Sequence, residues 1–101
     1  MSMANLQRMA QQMQRDVARV QAELDAAVVE GSAGGGVVRV TASGKQELLA
    51  IVIDPSAVDP DDVEMLQDLV LAAANDALRA SHALAEQKMA AVTGGLRIPG
   101  M

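Results

Sequence analysis

No Phe, Tyr or Trp occurs in the 101 residues, and that absence limits the folds open to the chain more than any motif in it. An aromatic side chain ordinarily supplies about 150–250 Å² of burial, so the core has to be assembled from Val, Leu, Ile, Met and a large complement of Ala. A chain of this length buries only somewhat over about 60% of its unfolded surface on folding. A small aliphatic core favours helices packed at close range and makes an added subunit interface advantageous. A two-fold homodimer is the simplest expectation.

Cysteine is absent too, which removes disulfides, thiolate nucleophiles and thiolate metal sites. The start, Met1-Ser2-Met3-Ala4-Asn5-Leu6, leads into a polar-rich helical pattern without an apolar leader. No apolar run reaches the roughly 18 residues of a membrane span. A soluble, cytoplasmic protein without a membrane partner is expected. The net charge of −5 argues against a generic, highly basic DNA-coating protein. Its distribution is uneven, however. Arg8, Arg15 and Arg19 stand near the start with Asp16 as their acidic neighbour, whereas the stretch between Lys45 and Arg79 holds Glu47, Asp54, Asp59, Asp61, Asp62, Glu64, Asp68 and Asp76 and no basic residue.

Leu6, Met9, Met13, Val17, Val20, Leu24 and Val28 recur at spacings of three and four, an apolar seam of a straight first helix. Arg8, Gln12, Arg15 and Arg19 line up on another face of it. On residues alone that face reads as a solvated helix surface, and Met9 and Met13 read as core or dimer packing. Val28 to Ala33 is expected to form a strand bent near Gly34-Gly35-Gly36. Two further strands follow, Val38, Val40 and Ala42 alternating with Val37, Arg39 and Thr41, then Leu49, Ile51 and Ile53 alternating with Leu48, Ala50 and Val52. Ser43-Gly44-Lys45-Gln46 between them predicts an antiparallel hairpin. Both faces of the third strand are apolar, which places a helix on one and a partner subunit or the base of the first helix on the other.

Asp59-Pro60-Asp61-Asp62 predicts a second long helix from Pro60 to about Val92, with Asp59 as N-cap and Pro60 in the first turn. Val63, Leu66, Val70, Ala73, Ala77 and Leu84 mark its buried face, and Thr93-Gly94-Gly95 ends it. Residues 93–101 are expected to be a mobile tail on a single domain spanning 1–101.

No catalytic constellation emerges. His82 is the sole histidine and, without a Cys or second His, it completes neither a triad nor a zinc site. Asp54, Asp59, Asp61, Asp62 and Glu64 lack the loop glycine and terminal Glu of a calcium hand, and helix-start capping accounts for them. Gly34-Gly35-Gly36 precedes a strand without a following Lys-Ser/Thr, so it reads as a turn and not a phosphate cradle. No enzyme, metal, cofactor or small-molecule substrate is expected.

Several short pieces, taken in order, resemble one bacterial family. They are the Met/Gln-rich first helix, Glu30-Gly31 with the glycines, Val38-Arg39-Val40-Thr41, Ile51-Val52-Ile53-Asp54-Pro55, Asp61-Asp62-Val63-Glu64-Met65-Leu66, Ala74-Asn75-Asp76-Ala77-Leu78 and Thr93-Gly94-Gly95-Leu96-Arg97-Ile98-Pro99-Gly100. Together they cover almost the whole chain and are similar to the YbaB/EbfC nucleoid-associated proteins. The resemblance implies an α+β chain of order α-β-β-β-α, with an antiparallel sheet and two long helices, joined as a tweezer-like homodimer. It implies binding of double-stranded DNA in the nucleoid, with Arg8, Arg15 and Arg19 in the contact set and Lys88 and Arg97 joining them. Two positions depart from the family pattern: Gln46 stands where a second hairpin Gly is usual, and Ala50 where the third strand usually has a polar or basic residue. The rival reading is a non-enzymatic interaction module whose long helices grip a partner protein through Met9, Met13 and Val17.

Overall fold

Ser2 opens the first helix, its side-chain oxygen accepting the Asn5 N–H at 3.2 Å and so satisfying a donor left over at a helix start. The computed structural model describes residues 2–93. Its elements are α1 (Met3–Ala26), β1 (Val28–Ala33), β2 (Val38–Ser43), β3 (Leu48–Ile53) and α2 (Val63–Thr93). The three strands form one antiparallel sheet in the order β1-β2-β3. This is the expected α+β chain with two long helices. Thr93 closes α2; the rest of the expected mobile tail, Arg97 included, lies outside the described residues.

Four details differ from the sequence reading. Val28, counted both in the helical seam and in the first strand, leaves the seam for the strand and is exposed, because α1 stops at Ala26 and Ala27 is already extended. The alternation along β3 is broken by a bulge: Thr41 pairs with Ala50 but Ala42 with Leu48, which leaves Leu49 as the extra residue. The second helix starts at Val63 and not at Pro60. Asp59 spends its carboxylate on the Asp61 N–H at 2.9 Å and its carbonyl on the Asp62 N–H at 2.9 Å, forming a tight turn with Pro60 at its second position. Asp62 then becomes the cap and accepts the Met65 N–H at 3.2 Å. Finally, α2 lies over β1 and β2, so β3 is exposed along its full length and neither of its faces is covered within the chain.

Val38, Val40 and Ala42 of β2 meet Ala73 and Ala77 of α2 in a core from which water is excluded. Leu66, Leu69 and Val70 pack at its border. The alanines let the helix approach the sheet closely, and Gly31 of β1 completes the approach. A Cβ on Gly31 would run into the α2 backbone at Ala73 and Ala77. On the outer edge of β1 the Ser32 N–H is taken by the Asp76 carboxylate of α2 at 3.1 Å.

The β2–β3 hairpin fixes where both helices leave the sheet. The Gly44 N–H donates to the carbonyls of Leu24 at 2.9 Å and Ala27 at 3.2 Å, serving orphan acceptors at the end of α1. Ser81 of α2 is fully buried; its hydroxyl donates to the Ser43 carbonyl at 2.7 Å and accepts the Gln46 N–H at 2.8 Å. One turn of the hairpin thus holds the end of α1 and the middle of α2 together.

Candidate nucleic-acid interface

From that junction α2 runs away from the sheet while α1 runs towards it, so the helices are antiparallel. They are bridged where Lys88 Nζ meets Glu23 Oε2 at 3.1 Å. At about 1.5 Å per residue, Thr93 stands roughly level with Ala18, and the first half of α1 extends beyond it. Burial follows the same order: Val20 and Leu24 are buried, Met13 and Val17 half-buried, and Met3, Leu6 and Met9 exposed. The molecule measures 71 × 29 × 16 Å, with this α1 tip at one end of the long axis.

Arg8, Arg15 and Arg19 lie on the exposed side of α1, spread over about 16 Å of helix. Arg8 has no ion-pair partner among the described residues. Arg15 Nη2 donates to Gln12 Oε1 at 3.0 Å, and Gln12 Nε2 donates in turn to Asp16 Oδ1 at 3.0 Å. Arg19 stands 3.7 Å from Asp16 and 3.2 Å from Glu23. Lys88 joins the same cluster across the helix boundary through Glu23. Lys88 holds the Glu23 carboxyl below its ordinary range against an opposing desolvation, and Arg19 adds a smaller lowering. The structure therefore brings Arg15, Arg19 and Lys88 into one laced strip, with Arg8 further out on the same helix. The sequence set Asp16 beside these arginines but left Glu23 out of the strip. The Arg19-to-Glu23 spacing of four was the available signal, whereas the Lys88 pairing leaves no local trace.

Among the described residues the other cations are committed elsewhere. Lys45 pairs with Asp25 at 3.1 Å, Arg79 approaches Asp76 at 3.9 Å, and Arg39 Nε donates to the Gly36 carbonyl at 3.2 Å. Within the acidic run Asp54, Asp59 and Asp62 are occupied in turns and caps, and Asp76 holds the Ser32 N–H of β1. Asp54 accepts the Ser56 N–H at 2.9 Å, the main cause of its lowered pKa. His82 is an exposed surface residue, its Nε2 lying 3.0 Å from Glu86. A shallow groove of about 290 Å³ beside it, lined by Gln46, Asn75, Leu78, Arg79 and His82, is widely open. Among the described residues no three His, Cys, Asp or Glu converge as metal ligands.

Residues 1–96 match the YbaB/EbfC DNA-binding family. The chain belongs to that family. It is 57% identical over 103 residues to a nucleoid-associated protein of Moorella thermoacetica, covering 99% of each chain. It is 55% identical over 97 residues to a nucleoid-associated protein of Chloroflexus aurantiacus, covering 96% of this chain and 97% of the relative. The fold is also that of a crystal structure of an uncharacterized protein from Helicobacter pylori, with a TM-score of 0.72 at 24% identity, covering 96% of this chain and 99% of the other. Gln46, at the position where the resemblance to YbaB/EbfC proteins implies a second hairpin Gly, adopts φ 62°, a left-handed conformation that favours Gly. The bond from its N–H to Ser81 accompanies that conformation.

Proposed function

We infer that this chain is a nucleoid-associated protein that clamps double-stranded DNA as a homodimer through the basic faces of its projecting helices. In this reading Arg8, Arg15 and Arg19 contact phosphate, with Lys88 and Arg97 joining them, and the effect of binding is on nucleoid organisation and gene expression. The observation that carries the reading is the arginine strip on the extended half of α1, in a chain of a DNA-binding family. Guanidinium groups suit the task because they can meet phosphate oxygens in pairs. With no aromatic side chain, stacking on unpaired bases is unavailable, so duplex is the preferred form. The protein performs no chemistry on its ligand, needs no cofactor, and works in the cytoplasm within the nucleoid. None of the described helices is long and apolar enough to cross a membrane.

Support for the homodimer comes from the sheet. The edge at β1 is engaged by Asp76, whereas β3 exposes Leu48, Leu49, Ile51, Val52 and Ile53. An exposed apolar edge strand of this kind pairs or aggregates unless it is covered, and a second copy covers it symmetrically. Two arginine strips, one from each protomer, then face a duplex.

Fluorescence anisotropy of labelled duplex DNA across a salt series tests the reading. If the two strips neutralise about six phosphates, log K falls against log salt with a slope of about −5. The Arg8→Ala, Arg15→Ala, Arg19→Ala triple variant is expected to remain folded and to lose most of this binding. No binding by the unaltered chain at low salt would refute the clamp and favour a protein partner on Met9, Met13 and Val17.

A further inference from the structure

Among the described residues, Glu23 is the carboxylate that joins α1 to α2 by an ion pair, and both of its oxygens are engaged. Oε1 meets Arg19 Nη1 at 3.2 Å and Oε2 meets Lys88 Nζ at 3.1 Å. Both cations belong to the proposed phosphate-contact set, and each is held by an acid on the same strip. We propose that Glu23 is a built-in competitor for DNA phosphate, holding Arg19 and Lys88 between the helices so that a duplex engages them only by displacing its carboxylate. The inference rests on the DNA-clamp reading above and adds to it a named regulator of affinity.

Carboxylate and phosphate oxygens are chemically equivalent partners for guanidinium and ammonium donors. A phosphate drawn to Arg19 would lie well within one Debye length of the Glu23 charge and be repelled by it. The competition is winnable because these pairs are wet: the side chains of Arg19, Glu23 and Lys88 remain 57%, 40% and 33% exposed. Exposed pairs of this kind are readily exchanged. The lowered carboxyl of Glu23, owed first to Lys88 and then to Arg19, accords with a charge that both cations stabilise. Lys88 has a double bond of allegiance, to α1 through Glu23 and to DNA in the clamp. When it turns to phosphate, the ion pair joining the two helices opens. DNA binding and the ion pair between the two helices are thereby coupled at one side chain.

The test is Glu23→Gln, which keeps the shape and removes the charge, measured by anisotropy against the same duplex and salt series. Asp25→Asn is the control. It makes the same change of charge two residues away, on the opposite side of α1, where Asp25 pairs with Lys45. Glu23→Gln is expected to tighten binding about tenfold at 0.1 M salt with the salt slope unchanged, because the same phosphates are neutralised once the carboxylate is displaced. Asp25→Asn should give only the smaller gain that follows from net charge. In an Arg19→Gln, Lys88→Gln background the advantage of Glu23→Gln over Asp25→Asn should disappear. A second readout uses the unaltered chain, in which the Glu23 side-chain carbon titration followed by NMR should move back towards the ordinary range when duplex is added. Equal gains from Glu23→Gln and Asp25→Asn with normal binding by the unaltered chain, weaker binding by Glu23→Gln, or a Glu23 titration unmoved by DNA would each overturn the inference while leaving the clamp standing. Failure of the unaltered chain to bind duplex at low salt would remove both.

Discussion

The first half of α1 and the first half of α2 carry apolar seams of similar spacing and meet opposite fates. Met3, Leu6 and Met9 on α1 are large and exposed, while Ala73 and Ala77 on α2 are small and fully buried. Large side chains offer more area to bury, yet the tight junction is made by the small ones. The difference teaches that fit between surfaces decides burial here. Gly31 on the sheet and two alanines on the helix admit a backbone approach that no larger residue allows, whereas the α1 tip extends past the described end of α2 and keeps its charges and its seam in solvent.

If that contrast is right, the largest loss comes from filling the close contact. Gly31→Ala should destabilise the fold by at least about 3 kcal/mol, because its Cβ meets α2 backbone and not a side chain that could yield. Urea unfolding followed by far-UV circular dichroism measures it, and a loss under 1 kcal/mol would mean that α2 can retreat from the sheet at little cost. Ser81→Ala comes next. It removes both bonds of the buried hydroxyl and leaves the Gln46 N–H and the Ser43 carbonyl only their longer contact with each other at 3.3 Å, at a cost of about 1 kcal/mol. The same unfolding curve reads it, and faster amide exchange at Gln46 would accompany it.

At the α1 tip the order reverses, with function sensitive and stability indifferent. The Arg8, Arg15, Arg19 triple alanine variant, chosen for its effect on DNA, should unfold within about 0.5 kcal/mol of the unaltered chain. A larger loss would show that the strip supports the fold. The smallest effect expected is the pH response of the Glu23 bridge. The folded-state carboxyl lies below the ordinary glutamate range, so the bridge contributes fully above the unfolded-state value and fades as pH falls through the folded one. The stabilities of Glu23→Gln and the unaltered chain should therefore differ slightly near neutrality and converge in acid. A gap that widens in acid would contradict the sign.

Much of this was legible in the residues because it is local. The 3.6-residue spacing of Leu6 to Leu24, the β-branched alternation on either side of Gly44 and the family's sequence pieces sufficed for both helices, the hairpin and the arginine face. The helix start was misplaced by three residues because Asp59 and Asp62 are equally good caps by type, and the choice fell to the turn that Pro60 forms. The break in alternation at Leu49 has no signal of its own, since Leu48 and Leu49 are the same residue on either side of the slip.

The sequence by itself determined the kinds of element, their order and the small aliphatic composition of the core, since each depends on spacing and side-chain type within a short window. The tertiary structure decided which elements touch and at what register. It placed Gly31 against Ala73 and Ala77, Ser81 under the hairpin, α2 over β1 and β2 with β3 left open, and Lys88 on Glu23 from 65 residues away. Such pairings depend on how two whole surfaces interlock, a property that no single stretch of the chain contains.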